Sequence, residues 1–370
     1  MKNIQVYSIV LSVIIGLSSC TLARIVFWNM PGLKDAKRFD KGYAHRGDSL
    51  WHFVTSANAK SLGQKLLVKS TNRSPSLVNL DAFLEHSPSI GFMIIRNDTV
   101  LYENYFDKAS NKTDFTSFSI AKTVVGLLVG VAIHENKIQS VNDPIIKYLP
   151  EYKGLISEKV LLKHLLDQNS GLKLPNAGNL YYTKNLPKLF EANITKREEP
   201  GTLYYYDNGN SQLLGMIVQR VANKPISQYL EEKIWRHIGA ESDLFWSLDK
   251  PLEKGGMAKT FCCLNAKMRD YAKVARLLLN KGAWNGKQLV PKAWVEESID
   301  GNRKQRTNYK YHNQLWSENL EAGAFYAVGF YGQYLYVFPK KKLIFVNFAK
   351  PNNTQHKYWS ELFMILSDQL

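Results

Sequence analysis

Cysteine is scarce in this chain: three residues in 370, two of them the adjacent Cys262 and Cys263. That scarcity excludes a disulfide framework and leaves no ligand spacing for structural zinc. The adjacent pair reads as two buried small side chains, with a vicinal disulfide open to it in an oxidising compartment. The eight histidines are scattered and no H-E-x-x-H occurs, which speaks against a metal hydrolase. Neither metal nor cofactor is expected. A nucleophile-elbow α/β-hydrolase is excluded, because no G-x-S-x-G is present. Acidic residues are outnumbered, 32 against 48 basic, for a net charge of +16. Basic surfaces favour anionic partners such as phospholipid headgroups or anionic wall polymers. A solvated basic surface accounts for the charge as well. The lysines are dispersed and no nucleic-acid motif is recognised, so nucleic acid is not expected as a partner.

An apolar run long enough to span a bilayer is missing from the N-terminus. Val6 to Leu17 falls short of the ~20 residues a span needs, and Arg24 interrupts its continuation. With Lys2 ahead of it and Leu17-Ser-Ser-Cys20 behind it, residues 1–20 read as a signal segment. The tetrapeptide resembles the bacterial lipobox, in which the cysteine is lipidated and becomes the first residue. A lipid anchor on Cys20 places the protein in the bacterial envelope, facing the periplasm or exterior; an uncleaved membrane anchor is the rival reading. Residues 21–80 read as a tether and irregular segment, with Trp28, Trp51 and Phe53 docking on the body. Residues 81–370 form the main domain, with ample length for a core.

Ile90 to Arg96 and Thr99 to Tyr105 are strand-like runs joined by Asn97-Asp98, a pair suited to a tight turn. Helical segments follow: residues 119–133, 160–168, 210–223, 226–237 and 271–280. The tail returns to strand at Gln333–Phe338 and Leu343–Phe348 around Pro339-Lys-Lys-Lys342, then closes on an amphipathic helix from Tyr358. The fold class is therefore α+β. One antiparallel sheet is built from both chain ends and flanked by helices, with a mainly helical region inserted between them. A cleft between sheet and helical region is where a ligand site forms.

Ser119 and Lys122 stand at the mouth of the most apolar helix. A serine hydroxyl needs a neighbour to take its proton, and an i, i+3 spacing puts the lysine amine on the same helix face. The S-x-x-K spacing recurs at Ser170…Lys173 and Ser247…Lys250. Those copies lie beside turn residues (Gly171 and Pro175, Pro251), whereas Ser119 opens a long helix with Asp114, Thr116 or Ser117 available as N-cap. Burial of that helix desolvates Lys122 and lowers its pKa towards a useful base. A Lys122 facing solvent and a Ser119 that merely caps is the bland alternative. Downstream, Tyr206-Asp-Asn208 sits just before a helix. A phenol beside a lysine ammonium can hold a lowered pKa and shuttle a proton, and the Asn208 amide can hold substrate and lysine in place. Tyr204 and Tyr205 keep a packing role for this cluster open.

Taken in order, Phe118-Ser-Ile-Ala-Lys122, His164-Leu-Leu with Ser170-Gly-Leu, Pro200-Gly…Tyr206-Asp-Asn208…Leu213-Leu-Gly215 and Arg269-Asp-Tyr-Ala…Leu277-Leu-Leu-Asn280 resemble the serine β-lactamase-like superfamily. The likeness covers roughly residues 85–370 and lies on the class C β-lactamase and D-Ala-D-Ala-peptidase side. It is closest to the esterases and nylon-oligomer (6-aminohexanoate-dimer) hydrolases grouped there. The resemblance implies Ser119 as acylated nucleophile, Lys122 and Tyr206 sharing the acid/base work, and Asn208 polar in the cleft. The family's Lys-(Thr/Ser)-Gly triplet is absent. Its counterpart looks like Ala324 to Gln333, whose backbone near Ala327 and Gly329 can line the substrate site and lend an N–H to an oxyanion hole with Ser119. Missing with the triplet is the side chain that grips a substrate carboxylate. The expected function is an envelope serine hydrolase acting on a small-molecule or peptide-like ester or linear amide. A β-lactamase or D-Ala-D-Ala carboxypeptidase, and a non-catalytic binding protein on the same fold, are the alternatives.

Overall fold

The computed structural model describes residues 24–25, 30–69, 77–300, 308, 310–317, 323–351 and 356–370. Cys20 and Trp28 lie outside them. In chain order the elements that position the site are strands β1 (Lys41–Ala44), β2 (Val54–Thr55), β3 (Ser89–Arg96), β4 (Thr99–Tyr105) and β5 (Phe115–Thr116), then helices α1 (Ile120–His134) and α2 (Asn208–Ala222). Strands β6 (Leu244–Ser247) and β7 (Leu264–Ala266), helix α3 (Met268–Leu279), strands β8 (Tyr311–His312), β9 (Leu315–Ser317), β10 (Phe325–Gly329), β11 (Gln333–Phe338) and β12 (Leu343–Ala349), and helix α4 (His356–Gln369) complete the set.

The β3–β4 hairpin closes as expected, with Asn97 and Asp98 both in the left-handed region (φ 49° and 60°) that two-residue hairpin loops require. Strands from the far end of the chain extend it into an eight-stranded sheet, in the order β8-β9-β10-β11-β12-β3-β4-β2. The α+β fold with a sheet assembled from both chain ends is thus present. Side chains alternate across a strand, and here the two faces differ in kind. Tyr334, Tyr336 and Phe338 of β11 join Phe92, Phe345, and Trp359 and Phe363 of α4 in an aromatic layer. Leu335 and Val337 face the other way, with Met93, Ile95, Ile344 and Val346, into the helical core. With both faces covered, β11 and β12 are buried at every residue.

A second, smaller sheet, β1-β6-β7-β5, was not anticipated. It takes β1 from the stretch read as a tether, pairing Gly42 with Trp246, while β2 runs parallel to β4 at the edge of the large sheet. Trp51 docks edge-on against Phe53 and Trp284, at 4.7 and 5.1 Å between ring centroids. Residues 41–55 therefore belong to the body; strands of two to four residues are too short to show a period. Helices Leu80–Glu85, Ala177–Tyr182, Leu186–Asn193 and Lys292–Asp300 are likewise additions. The 226–237 segment is α-helical only to Leu230 and continues as a wider π turn to Trp235. Helix α1 runs through the centre, buried at each position from Ile120 to Ala132 and packed against α2. The two adjacent cysteines are buried and joined as a disulfide.

Candidate active site

Strand β5 delivers the chain to Ser119. Its Thr116 pairs with Asn265 of β7, and the Thr116 hydroxyl donates to Asn265 Oδ1 at 2.6 Å. Ser117 is clamped to the same strand: its N–H donates to Leu264 O, and its Oγ accepts from Leu264 N–H at 3.2 Å. Phe118 then adopts φ 43°, a left-handed conformation that costs a bulky residue about 1–3 kcal/mol. Packing over-determines it, because the buried Phe118 ring meets Phe330 and Tyr331 edge-on. The N-cap expectation is corrected here. Ser119 itself occupies the cap position of α1 and makes no side-chain cap bond. Thr116 and Ser117 are committed to β7 and Asp114 to Lys267 at 2.7 Å. The strained turn thereby leaves the Ser119 hydroxyl free to face Lys122.

Lys122 is 1% exposed, and its Nζ has three partners: Ser119 Oγ at 2.9 Å, Asn208 Oδ1 at 2.8 Å and the Phe261 carbonyl at 2.7 Å. Burial pushes its pKa down to about 7, with the nearby Asp207 charge pulling the other way. A neutral amine has two N–H groups and one lone pair. Asn208 Oδ1 and Phe261 O can only accept, so they take both N–H groups. The lone pair is left for the Ser119 hydroxyl proton, which is the geometry a general base needs. The bland alternative of a solvent-facing Lys122 is not what the fold produces.

The Tyr206 ring lies 5.1 Å from Lys122 Nζ. Tyr206 as a whole is 37% exposed, yet desolvation around the phenol group pushes its pKa up to about 12, with a Ser119 hydrogen bond acting in the opposite direction. This corrects the expectation of an acidified phenol. Desolvation outweighs that hydrogen bond, and a lysine that titrates near neutrality supplies little standing charge. Tyr206 therefore stays protonated and is a donor. The ring also packs, sitting against Tyr311 and Trp316. Asn208, the first residue of α2, accepts from Lys122 Nζ through its Oδ1. Asp207 caps that helix, accepting from Gly209 N–H at 2.8 Å.

Strand β10 forms the opposite wall. A Cβ at Gly329 would stand 2.3 Å from Ser117 O, so only glycine lets the strand approach the nucleophile turn this closely. Val328 and Gly329 line a cleft of about 960 Å³ together with Ser119, Tyr206, Trp316 and Tyr326. Ala327 is 1% exposed, pairs with Leu335 and packs into the helical core, so its side chain does not line the cleft. Strand β9 pairs with β10 only at Phe325 and Tyr326. Beyond them, among the described residues, that edge of β10 has no neighbouring strand. Alternate residues direct N–H groups to opposite edges, so the open edge offers either Val328 or the pair Ala327 and Gly329.

The other S-x-x-K serines are structural. Ser170 Oγ accepts from Leu172 N–H at 3.3 Å, with Gly171 turning at φ 68°, and Ser247 is buried in β6. Sequence reasoning missed the Phe261 carbonyl, the influence of Asp207 on Lys122, and Trp316 in the cleft wall. Asp207 alone carried a signal, lying between Tyr206 and Asn208. Among the described residues no cluster of His, Cys, Asp and Glu could hold a metal ion.

The model of the beta-lactamase family matches residues 79–357, most of the chain. The chain belongs to the beta-lactamase family. Within this family of β-lactamase-fold hydrolases, the chain is 22% identical to the 6-aminohexanoate-dimer hydrolase of Paenarthrobacter ureafaciens over 350 residues, covering 86% of this chain and 87% of that protein. Its fold is similar to that of a Bacillus anthracis protein described as a candidate 6-aminohexanoate-dimer hydrolase, with TM-score 0.79, 24% identity and coverage of 90% and 91% of the two chains. A family VIII carboxylesterase shares the fold at TM-score 0.60 and 18% identity, over 76% of this chain and 92% of that one.

Proposed function

We propose that this beta-lactamase-family protein is a serine hydrolase that cleaves an ester or linear amide through an acyl-enzyme on Ser119. The observation that carries the reading is the 2.9 Å contact between Ser119 Oγ and a buried Lys122 Nζ whose other two partners are pure acceptors. Lys122 takes the hydroxyl proton as Oγ attacks the carbonyl. Tyr206, a neutral phenol next to Oγ, relays a proton to the leaving group. The developing oxyanion meets the Ser119 N–H and the open edge of β10. Water then releases the acid, with Lys122 again as base, so each group returns to its starting state.

Strand β10 carries no basic side chain between Ala324 and Gly329, so this wall has nothing to hold a substrate carboxylate. That favours a neutral ester or amide over a penicillin or a D-Ala-D-Ala peptide. The relatives' names point to the same two bonds, an amide in the dimer hydrolases and an ester in the carboxylesterase. The deciding experiment is labelling with a fluorophosphonate. Covalent modification at Ser119, lost in Ser119→Ala, supports the reading, whereas a folded protein that resists labelling is a binding protein on this fold. Location in the bacterial envelope through a lipidated Cys20 is part of the proposal and rests on the Leu17-Ser-Ser-Cys20 box. Cys20→Ser should release the protein from the membrane fraction or stall its processing; a mutant that stays anchored favours an uncleaved segment.

A further inference from the structure

We propose that the cleft runs on from Ser119 into a subsite for a long, flexible, uncharged apolar chain of the substrate, floored by Trp316, Tyr326 and Tyr336 and walled by Met364 and Ile365 of α4. The inference rests on the acyl-transfer reading above and names the substrate class of that same site. One continuous cleft includes Ser119 and Tyr206 at one end and Ser360, Glu361, Met364 and Ile365 of α4 at the other. At about 960 Å³ it is at the upper end of the range for drug-sized ligands and far larger than an acetyl group needs.

The floor decides the chemistry. Trp316, Tyr326 and Tyr336 are register partners on β9, β10 and β11. Their rings stack nearly parallel, with Trp316 and Tyr326 at 6.1 Å and 6°, and Tyr326 and Tyr336 at 5.0 Å and 2°. Side chains stand roughly perpendicular to a sheet, so rings stacked across three strands turn their faces to one another and their edges outward, Trp316 and Tyr326 towards the cleft and the 1%-exposed Tyr336 beneath Phe363 of α4. The C–H face of a sugar or an organic cation needs an open aromatic face, and this floor has its faces occupied. Rows of ring edges suit a chain of methylenes, which needs only non-directional contact.

Charge points the same way. Among the described residues, the charged side chains lining this cleft are Lys69 and Glu361, one of each sign, while Lys122 is buried behind Ser119. Apolar side chains remain in contact with water at the margin, with Phe330 at 42% and Ile365 at 37% exposure, as expected of a groove that awaits an apolar ligand. Met364 adds a flexible thioether able to follow chains of different length.

The chain could belong to the acyl group or to the leaving alcohol, so the test has two arms. Initial rates are measured on p-nitrophenyl esters from acetate to dodecanoate, and on alkyl acetates from ethyl to dodecyl, all below their micelle concentrations. In at least one series kcat/KM should rise roughly three- to fourfold per added methylene until the trough is full. The responding series assigns the chain. Ile365→Glu should lower the ratio of long-chain to short-chain kcat/KM by at least about tenfold, and Met364→Trp should shorten the optimal chain. A flat or falling dependence in both series, in an enzyme that a fluorophosphonate labels at Ser119, overturns the subsite alone. Absence of both labelling and ester turnover overturns the acyl-transfer reading, and the subsite with it.

Discussion

Lys122 must shed a proton before it can take one from Ser119, and its depressed pKa sets where that happens. With a pKa of about 7, the neutral fraction falls roughly tenfold for each pH unit below it. The rate constant kcat/KM for a neutral ester should therefore be about a hundredfold lower at pH 5 than at pH 9, along a single ionisation with its midpoint near 7. Tyr206, held up at about 12, leaves the alkaline side flat through pH 10. Asp207 supplies an internal check, because its charge raises the Lys122 pKa. Asp207→Asn should move the midpoint to lower pH and so retain a larger share of its activity under acid. The assay is initial rate on an uncharged ester from pH 5 to 10, corrected for spontaneous hydrolysis. A midpoint near the ordinary lysine value, or a profile with no ionisation in this range, would refute the role of burial and with it the assignment of Lys122 as base.

Ser119→Ala should abolish turnover and change stability by no more than about 1 kcal/mol, since Ser119 makes no cap bond; near wild-type hydrolysis by the folded variant would sink the nucleophile. Lys122→Met and Tyr206→Phe share one proton-handling step, so the double variant should be little worse than the poorer single one; rate losses that multiply would show independent roles. Lys259 is buried, donates to Thr183 O at 3.1 Å and is likewise pushed down to about 7. Because its folded pKa is lowered, the unfolded chain binds more protons between pH 7 and the ordinary lysine value, and stability rises with pH across that window. Lys259→Met should remove about 1.4 kcal/mol per pH unit of that slope, read from urea midpoints at pH 7, 8 and 9; an unchanged slope contradicts it. Simple esters should be hydrolysed roughly ten- to hundredfold more efficiently than penicillins, because β10 lacks charge-assisted bonds worth about 1.5–3 kcal/mol each. Comparable kcat/KM values would mean that a cation from elsewhere grips the carboxylate.

Part of this protein was legible in one dimension because its causes are local. An i, i+3 spacing places Lys122 under Ser119 wherever an apolar run forms a buried helix, and Asn97-Asp98 between strand-like runs closes a hairpin without outside help. Two runs of aromatic and branched residues flanking Pro339-Lys-Lys-Lys342 marked the tail as sheet. The absent Lys-(Thr/Ser)-Gly triplet also needed no structure to be seen. What tertiary structure alone decided is long-range: the Phe261 carbonyl reaches Lys122 across 139 residues of chain, and Gly329 is required only because β10 crowds Ser117. The conformation of Phe118 is imposed by Phe330 and Tyr331 against its own preference. The Tyr206 pKa depends on how much water the fold removes, and residue type says nothing of that. Residue spacing determined which groups could meet; desolvation and close packing, summed over distant segments, decided their protonation and their orientation.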